Sequence, residues 1–270
     1  MTRPCVLTVA GSDCGGGAGV QADHKTFAAH GVYGLSVIAA LTAQNTRGVC
    51  GVFGVPPDFV GAQLEAVLCD FTVAAAKTGM LLSAGVIAEV ARRLTDKTFP
   101  LVVDPVCVSG SGQTLLEPDG LAALRERLVP LADCLTPNLP EATALTGLAV
   151  AGRKDALRAG QRLLAMGAKA VLLKGGHADE AISPETVTDL LFLPGEEPLA
   201  LTVPRVRTKN THGTGCALSA AIAAGLAKGR GLVEAITAAQ GYLNDCLRAA
   251  WDVGQGQGPP DHLAGLSGFR

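Results

Sequence analysis

The run Thr208-Lys209-Asn210-Thr211-His212-Gly213-Thr214-Gly215-Cys216 stands directly before a segment of small apolar residues, 217–226, that reads as a buried helix. Gly213 and Gly215 would let the free N–H groups at the start of that helix approach an anion closely. The helix dipole adds roughly half a positive charge at the same end. This is the chemistry of a phosphate site, and Cys216 sits where a phosphate acceptor would lie. A thiol begins near a pKa of ~8.5 and a helix N-terminus lowers it, so the expectation for Cys216 is a thiolate.

Four other places carry groups that do chemistry. Ala10-Gly11-Ser12-Asp13-Cys14-Gly15-Gly16-Gly17-Ala18-Gly19 follows an apolar run and precedes Val20-Gln21-Ala22-Asp23. A glycine cluster between strand and helix lets backbone approach a ligand, or simply makes a tight turn. Its spacing is not G-x-G-x-x-G, and no Lys follows a Gly anywhere in the chain, so no Walker A loop is present. Asp23 reads equally as a helix N-terminal charge or as a ligand acceptor. Asp104 closes an apolar run and is followed by Pro105, while Glu141 follows Asn138-Leu139-Pro140 at a helix start. A strand-end acid points into the ligand crevice of an open α/β sheet, and one or two carboxylates plus phosphate oxygens suit Mg²⁺. The competing reading of Glu141 is complementation of the helix dipole. Lys174-Gly175-Gly176-His177 ends another run, where the lysine either reaches a phosphate or is solvated. His177 and His212 are weak signals, because hydrogen-bonded surface histidines are commoner than catalytic ones.

The elements that must position these groups alternate along the chain. Strands are expected at 6–10, 36–42, 74–78, 101–104, 134–136 and 170–174, separated by helical patterns. That is a parallel sheet covered by helices. A helix over 83–95 repeats Ile87, Val90, Ala91 and Leu94 on one face, with Ser83 as N-cap. A second over 154–166 stops at Gly167. Residues 187–193 and 199–203 flank Pro194-Gly195-Glu196-Glu197-Pro198 as an antiparallel hairpin at the sheet edge. Two loops, 109–113 and 177–186, are expected to move. With no repeat or linker, residues 1–270 read as one domain.

Composition bounds the function. A net charge of −2 without a basic cluster, and 4% aromatic residues, offer nothing to a nucleic acid. The first apolar run is too short for a secretion signal, and none approaches the ~18 residues of a membrane span. Eight cysteines with no C-x-x-C pair argue against zinc and disulfides and for the reducing cytoplasm.

Taken together, these motifs resemble the ribokinase-like superfamily and, within it, the hydroxymethylpyrimidine/phosphomethylpyrimidine kinases. The matching stretches run from Ala10-Gly11-Ser12-Asp13 through Asp23, then Lys25-Thr26-Phe27, Thr42-Ala43-Gln44-Asn45-Thr46, Lys77-Thr78-Gly79-Met80-Leu81 and Asp104-Pro105-Val106. Thr136-Pro137-Asn138-Leu139-Pro140-Glu141-Ala142, Lys174-Gly175-Gly176-His177 and Lys209 to Cys216 complete them, leaving only the tail from Gly254. The resemblance implies a three-layer α/β/α sandwich with a mostly parallel sheet, a homodimer, and two successive ATP-dependent phosphorylations. The first falls on the hydroxymethyl group of 4-amino-5-hydroxymethyl-2-methylpyrimidine, the second on its monophosphate. It implies that Asp23 and Gln44 hydrogen-bond the aminopyrimidine, and that Gly11, Met80 and Val106 line the ring. Lys174, Asn138 and Thr211 would face the nucleotide, and Asp104 and Glu141 would organise Mg²⁺. Gly213, Gly215 and Cys216 would carry the transfer, with the cysteine replacing the aspartate base of the wider superfamily. Pyridoxal is the rival substrate, against which Gln44 speaks because an amide offers both a donor and an acceptor. A non-catalytic pyrimidine-binding module is the rival of another class, and it would need neither phosphate nor magnesium groups.

Overall fold

The structure of the protein is a computed structural model that describes residues 3–107, 115–175, 185–264 and 266. Among the described residues nine strands form one sheet, in the order β3-β2-β1-β4-β5-β6-β7-β8-β9. They are β1 (Cys5–Asp13), β2 (Tyr33–Asn45), β3 (Gly48–Gly54), β4 (Val73–Thr78), β5 (Leu101–Val103), β6 (Cys134–Leu135), β7 (Val171–Leu173), β8 (Thr186–Phe192) and β9 (Leu199–Pro204). The strands from β2 to β7 pair in parallel, and β3, β8 and β9 add antiparallel edges.

The central strands are apolar on both faces because helices cover both. Leu7 and Val9 of β1 face one core, together with α2 (Pro57–Leu68), α3 (Ala84–Leu94), α5 (Leu139–Thr146) and α6 (Arg153–Ala165). Val6 faces the other, against α1 (Gly19–Ala29), α7 (Thr214–Ala227) and α8 (Leu232–Arg248). A short helix, α4 (Gly120–Ala123), joins the first layer. Three layers result, as the pattern predicts. Helix α7 has no polar face, and residues 217–225 are all buried, so its small side chains let it lie close to the sheet.

The expected strands all form, with β1 and β2 longer than their apolar runs. Ser83 caps α3, its Oγ accepting the Val86 N–H at 3.3 Å. Gly167 follows α6 with φ +105°, and β8 and β9 make the expected hairpin. Strand β3 is the element the pattern did not announce. The expected loop 109–113 and residues 177–184 of the other lie outside the described residues. Among the described residues no helix is long and apolar enough to cross a membrane.

The chain runs from β1 to β2 on one side, then crosses to β4 on the other side of β1. Such a switch point opens a crevice at the C-terminal strand ends, where open α/β sheets bind ligands.

Candidate active site

The crevice is a cleft of about 440 Å³, and it gathers every expected site residue except Asp23. Gly11 ends the straight part of β1, and a Cβ there would meet Met80 Sδ at 3.3 Å. The absence of a side chain therefore opens a slot walled by Met80, Val106 and Leu115. Gln44, from the end of β2, supplies a polar group to the same cleft.

Thr211, Gly213, Gly215 and Cys216 form the opposite element of the wall. Gly213 is the residue before α7, with φ +80°, and a Cβ there would collide with the Gly17 carbonyl oxygen. Only glycine satisfies both conditions. No side chain caps this helix; the Thr214 N–H donates to Thr211 O at 3.3 Å, which leaves those of Gly213, Gly215 and Cys216 for an anion in the cleft. A Cβ on Gly215 would lie 3.5 Å from both Asp104 Oδ2 and Lys174 Nζ. The helix start and the charged groups thus face one another closely.

Lys174 Nζ donates to Asp104 Oδ1 at 3.0 Å and stands 3.9 Å from Glu141 Oε2. Thr136 Oγ1 also donates to Asp104, at 3.2 Å. Burial works against the Lys174 charge, but Asp104 and Glu141 outweigh it and hold the ammonium above its ordinary range. Burial, reinforced by Asp104 and opposed by Lys174, pushes Glu141 up to about 7. Asn138 and Glu141 also form a capping box: Glu141 N–H donates to Asn138 Oδ1, and Asn138 N–H to Glu141 Oε2, both at 2.8 Å. The helix-start reading of Glu141 therefore holds together with its place on the cleft wall. One Asn138 oxygen is spent on the cap, leaving its NH₂ as the donor for a ligand. No group of three or more His, Cys, Asp or Glu side chains suited to a metal occurs among the described residues. Two carboxylates beside an uncapped helix start instead fit a cation that arrives with phosphate oxygens.

Two expectations are corrected. Cys216, half-buried in the cleft wall, is a thiol: burial pushes its pKa up to about 11, with Asp23 and Asp104 adding to the rise. Lys77 and the Gly19 backbone pull it down, but by less. The helix dipole alone suggested a thiolate, and desolvation with two nearby carboxylates overrides it. Asp23 is absent from the cleft wall. It is fully buried, 3.1 and 3.2 Å from Lys77 Nζ, and Thr8 Oγ1 donates to it at 2.6 Å. A lysine inside the apolar run Val73-Ala74-Ala75-Ala76-Lys77-Thr78 was the overlooked signal, because a buried ammonium requires an acid.

The glycine cluster wraps a carboxylate. Asp13 accepts the N–H groups of Gly15, Gly17 and Ala18 at 2.8–3.0 Å, and His212 Nε2 lies 2.9 Å from its Oδ2. Despite burial, these partners hold Asp13 below the usual carboxylate range. The tail also reaches the site. Gln257 lines the cleft, its N–H donates to Thr46 O at 2.8 Å, and its amide donates to Thr211 Oγ1. Asp13 and Gln257 are wall residues that local sequence patterns do not reveal.

Against this geometry, the profile of the phosphomethylpyrimidine kinase family matches residues 13–261. The chain belongs to that family. It is 51% identical over 260 residues to a hydroxymethylpyrimidine/phosphomethylpyrimidine kinase of Rhizobium meliloti, covering 95% of this chain and 96% of the relative. Among solved structures, phosphomethylpyrimidine kinase from Clostridium difficile is 40% identical with a TM-score of 0.78, over 90% of this chain and 99% of that one. The ADP complex of Bacillus subtilis pyridoxal kinase is 36% identical with a TM-score of 0.88, over 97% and 98%. The fold is the ribokinase-like sandwich these kinases share.

Proposed function

We propose that the protein transfers phosphate from ATP to 4-amino-5-hydroxymethyl-2-methylpyrimidine and then to the resulting monophosphate. The observation that carries this reading is one cleft holding both an amide on an apolar, ring-sized slot and an uncapped helix start beside Asp104, Glu141 and Lys174. A binding module would have no use for the second half. The relatives' function supports the same reaction pair.

The aromatic ring enters the slot of Gly11, Met80 and Val106 and pairs with Gln44. The transferred phosphoryl group meets the N–H groups of Gly213, Gly215 and Cys216, which stabilise charge as it shifts. Lys174 and the NH₂ of Asn138 hold nucleotide phosphates, with Thr211 at the rim. Asp104 and Glu141 would hold Mg²⁺, whose contribution is to neutralise phosphate charge. Transfer of this kind is largely positioning, so the demand on a base is modest. The hydroxymethyl proton leaves late: the Cys216 thiol first gives its proton to solvent, a loss the Lys77 ammonium favours, and the resulting thiolate takes the alcohol proton.

The second acceptor is a phosphate monoester, whose second pKa of ~6 leaves its oxygen already deprotonated at neutral pH. Cys216 is then needed as a base in the first step alone.

We place the chain as a single kinase domain in a homodimer. Leu41 of β2 and Phe53 of β3 face each other across the sheet edge and are 45% and 67% exposed, an apolar face suited to a second copy. Light scattering should return twice the chain mass, and a monomer would refute the dimer. All eight cysteines are free, which suits the cytoplasm. The substrate assignment is tested by coupled ADP release with the pyrimidine, with pyridoxal and with neither.

A further inference from the structure

Gln44 is the polar group that reads the ring, and its surroundings contain two conflicts that one rotation removes. Gln44 Nε2 stands 3.0 Å from His212 Nε2, while that same histidine nitrogen lies 2.9 Å from Asp13 Oδ2. Asp13 already accepts three backbone N–H groups and is ionised at neutral pH. His212 Nε2 must therefore carry a proton and donate it to the carboxylate, which leaves no lone pair for an amide NH₂. At the other end of the amide, Thr42 Oγ1 lies 2.9 Å from the Ser12 carbonyl oxygen and 3.2 Å from Gln44 Oε1. A hydroxyl has one hydrogen, so it cannot fully serve two acceptors. Turning the amide by 180° resolves both. The carbonyl oxygen then shares the His212 Nε2–H, and the NH₂ donates to Thr42 Oγ1, whose hydrogen goes to Ser12.

We propose that Asp13 and His212 are positioning residues that lock the Gln44 amide with its oxygen toward His212 and its NH₂ toward Thr42, and that this lock selects the amino-bearing ring edge over an oxo-bearing one. The proposal rests on the aminopyrimidine reading above. After the internal bonds are made, Gln44 presents one N–H and one oxygen lone pair to the cleft in a set order. A 4-aminopyrimidine edge offers a ring-nitrogen acceptor beside an amino donor. Its 4-oxo analogue offers a ring N–H donor beside a carbonyl acceptor, the reverse order. With the ring held by its slot and its hydroxymethyl group by the transfer site, only a freely turning amide could pair with both. A locked amide opposes donor to donor and acceptor to acceptor in the oxo analogue, which is discrimination by repulsion.

The test has two arms. In the first, kcat/KM is measured for the 4-amino substrate and its 4-oxo analogue in the wild type and in His212→Phe, which keeps a ring but removes the donor. The proposal expects the amino-over-oxo preference to fall at least tenfold in His212→Phe, with the KM for ATP within twofold of wild type. A raised pyrimidine KM with the preference intact would make His212 merely structural and overturn the proposal. The second arm needs neither substrate nor variant. Nitrogen-15 NMR of the free wild-type protein should find His212 Nε2 protonated at pH 7.5, and an unprotonated Nε2 would overturn the lock. A wild type that phosphorylates neither pyrimidine would refute the substrate assignment, while the NMR result would still decide the lock.

Discussion

Replacing Lys77 with Met should cost the protein about 3–5 kcal/mol of stability. Lys77 and Asp23 have no exposed side-chain surface, and the ammonium lies 3.1 and 3.2 Å from the two carboxylate oxygens. Thr8 supplies the carboxylate's other side-chain donor. Methionine matches the lysine stem in volume, so little of the loss comes from packing. The cost is that of a buried carboxylate left with one hydroxyl for company. At about 2–4 °C per kcal/mol for a chain near this size, the melting temperature should fall by roughly 6–20 °C. The pH dependence has a definite sign. Burial already holds Asp23 above its ordinary range with Lys77 present, and without that ammonium its folded pKa rises further above the unfolded value. The variant is penalised least near pH 4 and increasingly as pH climbs through that raised pKa. Urea unfolding of wild type, Lys77→Met and the Asp23→Leu/Lys77→Met pair, at pH 5 and pH 8, reads all of this. The double variant should recover most of the loss, because both charges are gone. A single variant within about 1 kcal/mol of wild type, or a double variant no better than the single, would refute a paired, desolvated couple. A recovered double variant with an unchanged pyrimidine KM would also establish that Asp23 does not touch substrate.

Glu141→Gln keeps the capping box, since glutamine serves at that position, so it separates capping from metal binding: the magnesium requirement should rise and kcat fall, and an unchanged magnesium titration would leave the cap as the residue's whole role. The same variant should flatten a stability loss on the order of 3 kcal/mol that wild type shows as pH rises from about 4.5 to about 7, because Glu141 binds its proton more tightly folded than unfolded. Gln44→Leu should weaken pyrimidine binding by about 1–3 kcal/mol, seen in the pyrimidine KM and not in that for ATP; equal effects on both would contradict its place at the ring. Cys216→Ser should slow the first phosphorylation more than the second, since only the alcohol must lose a proton, and equal slowing would deny the sulfur a base role. Alkylation mapped to Cys216 should be slow at pH 7, accelerate toward pH 11 and be blocked by the pyrimidine; fast reaction at pH 7 would restore the thiolate.

Much of this was legible in the sequence because it is local. Apolar runs announced the central strands, a Pro-Gly-Glu-Glu-Pro stretch announced the edge hairpin, and Gly213 and Gly215 before an apolar helix announced the anion site. Strand β3 stays hidden because Gly48, Gly51 and Gly54 interrupt its alternation and none of its residues is buried. What the sequence could not reveal depends on distant neighbours. Asp13 meets His212 across 199 residues, and Asp23 meets Lys77 across 54. The Cys216 thiol is a similar case. Its helix start is local, but the burial and the carboxylates that raise its pKa come from other elements. Gln257 reaches the cleft only because the tail folds back along Thr46.

If one cleft phosphorylates the aminopyrimidine alcohol and then its monophosphate, phosphorus-31 NMR of the protein with ATP, Mg²⁺ and the pyrimidine should follow both products, with pyridoxal in a parallel sample. A monophosphate resonance should give way to a diphosphate as ADP accumulates, with pyridoxal phosphorylated more slowly. A pyridoxal phosphate signal that outpaces the pyrimidine product, or ADP release indifferent to either acceptor, would contradict this reading of the cleft.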